Sequence, residues 1–147
     1  MGDFNEALIN AKYHLLVAER MLKGYGKFED KRFLVGIINE AARATSNLIR
    51  AFLICEGIGK KNARKNLRIF MEDVAPKYLD ALTRENLFKM LEVEWAHKSS
   101  PIEYARGEKI ILLIRGKYRF LTVQRIGEFV ESIKEGIKVF QENFRIC

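Results

Sequence analysis

Apolar positions recur along the start of the chain at alternating intervals of four and three residues. Phe4, Leu8, Ala11, Leu15, Ala18 and Leu22 therefore share one stripe of a helix with about 3.6 residues per turn. Gly24 and Gly26 are expected to end it. The same spacing returns in Leu34, Ile38, Ala41, Thr45, Leu48, Phe52 and Cys55 before Gly57 and Gly59, which predicts a second long helix antiparallel to the first. Ala63, Leu67, Phe70 and Val74 predict a shorter third helix stopped by Pro76. Thr83 is the expected N-cap of a fourth helix running to about His97. Ile126, Val130, Ile133, Ile137, Phe140 and Phe144 mark a long fifth helix, with Thr122 as its N-cap.

Helices with such stripes bury them only against one another. The expected fold is mainly α: residues 1–147 form a single domain, an up-and-down bundle of about five helices. Between Arg106 and Thr122 the period changes. "KIILLI", "RGK" and "YRFLTV" read as a small β-hairpin near residues 109–123, rich in Ile, Tyr, Phe and Val. A short buried helix is the alternative, since apolar runs of this length fit either period. In the second helix, "NEAARATSN" at 39–47 combines small residues that permit close helix approach with polar ones that need water or partners.

Composition narrows the class. A chain of 147 residues, 48% hydrophobic and 31% charged with two prolines, is long enough to bury a core and leaves little room for a linker. No apolar run is long enough to cross a bilayer, the longest being "IILLI" at 110–114. Asp3 and Glu6 stand where a signal peptide carries positive charge. The two cysteines, Cys55 and Cys147, give no reason to expect them to meet, so a reducing compartment and a cytoplasmic location are expected. Two glutamines beside abundant Lys and Glu fit a thermophile's composition. The net charge of +7 favours polyanionic partners.

Most familiar site chemistry is absent from the sequence. It has no phosphate-cradling glycine loop, no Cys-x-x-Cys pair and no metal-ligand spacing of histidines, so neither a metal nor a cofactor is expected. Two regions stand out. In "KKNARKNLR" at 60–68, Lys60, Lys61, Arg64, Lys65 and Arg68 fall within an arc of about 140° on the third helix, away from its apolar face. That ridge is a candidate nucleic-acid surface, or a solvated face. The second is "EWAHKSSPIEYARGEK" at 94–109, where Ser99, Ser100 and Pro101 end a helix. Here His97, Ser99, Ser100 and Arg106 form a candidate anion-binding set, with Glu103 placed to orient the His97 imidazole. His14, beside Leu15, reads as a packing residue.

"IINEAARATSNLIRAFLICEGIG" at 37–59 and "ALINAKYHLLVAERML" at 7–22 resemble the first two helices of HEPN-type domains, so the likeness covers most of the chain. It implies an all-helical, often dimeric bundle in a family of ribonucleases, toxins and nucleotide-binding accessory domains. It also implies RNA, a nucleotide or a protein such as a nucleotidyltransferase-like protein as partner. Nucleolytic members carry an Arg separated from a following His by four to six residues. Met90, Leu91 and Glu92 occupy those places before His97, and Ala7, Leu8 and Ile9 before His14, so the motif is missing. The expected function is a HEPN-like nucleic-acid, nucleotide or protein binding module that forms a homodimer. The alternatives are a noncanonical metal-independent ribonuclease using His97, Glu103 and Arg106, and a purely structural oligomerisation unit.

Overall fold

Two helices of equal length lie side by side at the start of the chain in the computed structural model, α1 (Phe4–Phe28) and α2 (Lys31–Cys55). The structure describes residues 4–28, 31–59, 62–99, 104–106, 109–114 and 117–144; within these, the side chains of residues 26, 28, 31, 32, 96–99, 104–106, 109–114 and 117–120 lie outside the description. The two helices are antiparallel: Gly24 meets Phe33, Gly36 meets Met21, and His14 meets Glu40. Their contact is built from small residues. Ala7, Ala11 and Ala18 of α1 and Ala41, Ala44 and Thr45 of α2 are fully buried, and Thr45 satisfies its hydroxyl on the Ala41 carbonyl at 2.9 Å.

The remaining elements are α3 (Ala63–Ile69), a π-helical turn (Phe70–Val74), α4 (Ala75–Tyr78), α5 (Ala81–Ser99), strands β1 (Tyr104–Arg106), β2 (Lys109–Ile114) and β3 (Lys117–Thr122), and α6 (Val123–Asn143). Helices α1, α2, α5 and α6 form the bundle, with α2 touching the other three. Helix α6 runs parallel to α2, since Gly136 faces Leu48 and Phe140 faces Phe52. A Cβ on Gly136 would lie 2.7 Å from Leu48 Cδ2, so glycine is what lets α6 approach α2 so closely at that point. The strands make one antiparallel sheet of order β1-β2-β3. Ile114 pairs with Lys117 and Lys109 with Thr122, the hairpin expected near 109–123, and β2 runs beside α5.

Most expected stripe positions are in the core; Phe4, Leu8, Leu22, Cys55 and Phe144 are half-buried and Ala63 is exposed. Leu34, Ile38, Ala41, Thr45, Leu48 and Phe52 of α2 and Ile126, Val130, Ile133, Ile137 and Phe140 of α6 are all buried. Several expected boundaries are not those observed. Helix α1 continues through Gly24 and Gly26 to Phe28, because Phe33 packs on Gly24 and Tyr25 is buried, outweighing a propensity cost of about 1 kcal/mol per glycine. Gly57 does end α2. It takes a φ of 71°, its N–H bonds the Ile54 carbonyl and that of Ile58 the Leu53 carbonyl, the paired bonds of a Schellman cap.

Pro76 does not stop the third helix. The Ala75 N–H reaches back five residues to the Phe70 carbonyl, so the π turn resets the hydrogen-bond register and Pro76 falls in the first turn of α4, where no N–H is needed. Asp80, not Thr83, caps α5: its Oδ1 accepts the Thr83 N–H at 2.7 Å and its carbonyl the Arg84 N–H at 3.1 Å. Thr122 caps α6 as expected, accepting the Arg125 N–H at 3.1 Å.

The largest aromatic assembly lies where α2, the π turn, α4 and the end of α6 meet. The fully buried Phe52 has the rings of Phe70, Tyr78, Phe140 and Phe144 at centroid distances of 5.5, 5.5, 5.1 and 5.8 Å. The Tyr78 hydroxyl donates to Glu56 Oε1 at 2.7 Å, and this bond, with burial and the nearby negative charge, raises the phenol's pKa. A further correction concerns the cysteines. Cys55 is disulfide-bonded, against the expectation that the cysteines stay apart; Cys147 lies outside the described residues. The disulfide removes the ground for expecting a reducing compartment.

Replacement of Phe52 by Ala is expected to lower stability by about 3–5 kcal/mol in chemical denaturation, whereas Lys65→Glu on the exposed side of α3 leaves it nearly unchanged. Reduction, or Cys55→Ser, should lower stability by about 2–4 kcal/mol, and the Cys55→Ser protein should no longer respond to reductant in calorimetry. The Asp80 carboxyl lies below the usual carboxylate range because of its hydrogen bonds from Thr83. Its capping contribution is present above the unfolded-state pKa and is lost as pH falls through the depressed folded value. Asp80→Ala should therefore cost about 1 kcal/mol near neutrality and progressively less in acid, as read from denaturation midpoints across pH.

Candidate functional site

The side of α2 facing away from the core carries a polar row. Glu40, Arg43, Asn47 and Arg50 recur at intervals of three and four residues, a distance of about 15 Å along the axis. At one end Glu40 Oε2 and His14 Nδ1 lie 2.5 Å apart, and Arg43 Nη1 donates to Glu40 Oε1 at 3.1 Å. Glu40 thus accepts from both sides. The side chains of His14 and Glu40 are 21% and 17% exposed, and the Tyr13 ring meets the imidazole edge-on at 5.2 Å. Asn47 Nδ2 donates to the Arg43 carbonyl at 2.9 Å, holding the middle of the row.

At the other end, Arg50 and Ser46 border a cavity of about 650 Å³ between α2, α3 and α5. Its walls include Leu53, Leu67 and Leu91, with the half-buried Trp95 and the buried Glu94 on the α5 side. The Gly57 turn forms part of its rim. Helix α3 is held there by its own cap, Asn62 Oδ1 accepting the Lys65 N–H at 2.9 Å. Ala63 and Asn66 of α3 face the cavity, while Arg64, Lys65 and Arg68 stand exposed. These three cations and Arg50 have no ion pair among the described residues. A wall of mostly apolar side chains with one indole and the buried Glu94, bordered by the single guanidinium of Arg50, can take a planar apolar group and an anion attached to it.

Arg64, Lys65 and Arg68 do form the exposed face of α3, opposite the buried Leu67, Phe70 and Val74; Lys60 and Lys61 lie outside the described residues. In the other set, His97 and Ser99 fall in the last turns of α5 and Arg106 ends β1. Their side chains, and Ser100 and Glu103 entirely, lie outside the described residues, as does the convergence of His97 with Arg106. The sequence reading missed the His14–Glu40–Arg43 cluster, the part of Arg50 and the cavity. Glu40 and Arg43 sit in the small-and-polar run at 39–47, which was the available signal. Ala41, Ala42, Ala44 and Thr45 of that run are buried within the chain, so they offer no surface to a second subunit, whereas Ser46 is exposed.

Among the described residues no group of three His, Cys, Asp or Glu side chains is placed to hold a metal ion, and no helix is long and apolar enough to cross a membrane. Comparison with protein-family models, curated proteins and solved structures finds no match.

Proposed function

We propose that this chain is a HEPN-like accessory module that binds single-stranded RNA or a nucleotide. The observation that carries the reading is the cavity beside the exposed cations of α3. A base inserts among Leu53, Leu67 and Trp95, where stacking contributes about 1–3 kcal/mol, and the phosphates follow Arg50, Arg64, Lys65 and Arg68. Arg43 and Asn47 extend the same track toward His14. A homodimer belongs to the proposal through the family resemblance. The large apolar side chains left exposed on α1, Ile9, Tyr13 and Leu16, are its natural contact, and light scattering reads the oligomeric state.

A second reading is an enzyme, a ribonuclease independent of metal. The His14–Glu40 pair favours it, because a carboxylate at a ring nitrogen fixes an imidazole for proton transfer. The original candidates His97, Glu103 and Arg106 belong to the same class of activity. Labelled RNA incubated with the wild-type protein, His14→Ala and His97→Ala distinguishes the two: uncut RNA in all three leaves the binding module, and cleavage lost in one variant names the base.

Binding itself is expected to show in the fluorescence anisotropy of a labelled oligonucleotide. With three or four phosphates neutralised, log K should fall with log salt at a slope of about −2 to −3. Arg50→Glu and the double change Arg64→Glu, Lys65→Glu should each weaken binding for all sequences alike, and Trp95 emission should respond to a bound base. Binding that is absent at low salt, or insensitive to salt, would overturn the proposal and leave an oligomerisation unit.

A further inference from the structure

The α2–α3–α5 cavity of about 650 Å³ has the size of a small-molecule site, roughly 300–1,000 Å³, and such sites place a few polar groups on mostly apolar walls to fix what binds. Its α5 wall carries one such group. Leu91, Glu94 and Trp95 all line the cavity, as expected of positions three and four residues apart on one helix face. Glu94 is 9% exposed, and Leu53, Leu67 and Leu91 around the same space are buried. Withdrawing a carboxylate into apolar surroundings is costly unless hydrogen-bond donors meet it. Its two oxygens have about four lone-pair sites, enough to serve a contact within the protein and a ligand together.

The four RNA bases differ in what their Watson–Crick edge offers an acceptor-only group. Guanine alone sets two donors side by side, N1–H and the 2-amino group. Adenine and cytosine place their amino group next to a ring nitrogen that accepts, and uracil flanks its one N–H with two carbonyls. With each of those three, one carboxylate oxygen meets a lone pair.

We propose that, on the reading of this cavity as a nucleobase site, the base it selects is guanine, and that Glu94 sets the selection. The carboxylate accepts N1–H and one N–H of the 2-amino group, the Trp95 indole stacks on the ring, and Arg50, exposed at the border, meets the phosphate. A free nucleotide and an unpaired guanine of an RNA strand share this edge. The exposed Arg64, Lys65 and Arg68 of α3 tell the two apart through the further phosphates that a strand brings.

Trp95 is the single tryptophan of the chain, so its emission reads the cavity directly. In titrations of the whole oxidised protein, GMP should bind at least about tenfold more tightly than AMP, CMP or UMP, the ratio expected for one charge-assisted hydrogen bond gained. Inosine monophosphate keeps N1–H but lacks the 2-amino group, and should fall between GMP and AMP. Glu94→Gln should bring GMP down to the level of AMP with AMP itself nearly unchanged, whereas Arg50→Ala should weaken all the nucleotides alike. An adenine-rich oligonucleotide with one guanine should bind more tightly than one with none. Equal affinity for GMP and AMP would overturn the guanine assignment and leave nucleotide binding standing, as would an equal loss of both in Glu94→Gln. No response to any nucleotide or oligonucleotide would overturn both. The comparison of GMP with inosine monophosphate uses the wild-type protein alone, so equal affinities there would sink the carboxylate contact even where Glu94→Gln fails to fold.

Discussion

Phe52 sits where four pieces of chain must agree on a position: its own helix, the π turn through Phe70, the short helix ending at Tyr78, and the end of α6 at Phe140 and Phe144. Tilted and edge-on rings at such distances contribute about 0.5–1.5 kcal/mol per pair beyond the area they bury, but the geometric effect matters more here. Fixing the end of α6 against α2 sets the parallel course of those helices, and with it the approach of Gly136 to Leu48. Fixing the π turn against α2 sets the attitude of α3. Both the cavity wall at Leu67 and the outward face of Arg64, Lys65 and Arg68 follow from that attitude.

Net charge describes this protein poorly. The +7 of the whole chain is unevenly spread: among the described residues Arg50, Arg64, Lys65 and Arg68 have no ion pair, and neither have Glu19, Glu131 and Glu135, which line an acidic groove between α1, α5 and α6. At physiological ionic strength charges more than about 8 Å apart are largely screened from one another, so each face acts mainly through its own charges.

The helical stripes were legible in sequence because burial imposes a period on one element at a time. Six of the seven stripe positions from Leu34 to Phe52 and onward are buried, and Cys55, the seventh, is half-buried. The hairpin was legible for a similar reason, from β-branched and aromatic runs about a glycine. What escaped depends on partners distant in sequence. Gly24 stays helical because Phe33 lies on it, and Pro76 is tolerated because the turn before it changes register. His14 looked like packing because its partner, Glu40, is 26 residues away. The acidic groove was invisible for the same reason, Glu19 and Glu131 belonging to opposite ends of the chain. The basic ridge of α3 lay within a single turn-by-turn pattern and could be read directly.

The π turn at Phe70–Val74 has a consequence for how this sequence can drift. An α-helix that accommodates one surplus residue as a π turn keeps both flanking segments in phase with the core: Leu67 before it and Ala75 after it are buried, as are Phe70 and Val74 at its two ends. Loss of a single residue from this stretch would turn the two segments by about 100° relative to each other. Tyr78 would swing away from Glu56, and Pro76 would fall inside an ordinary helix. Along most of a surface helix a substitution is a local event. Here the number of residues, more than their identity, is under constraint, so the segment should accept changes of side chain far more readily than changes of length.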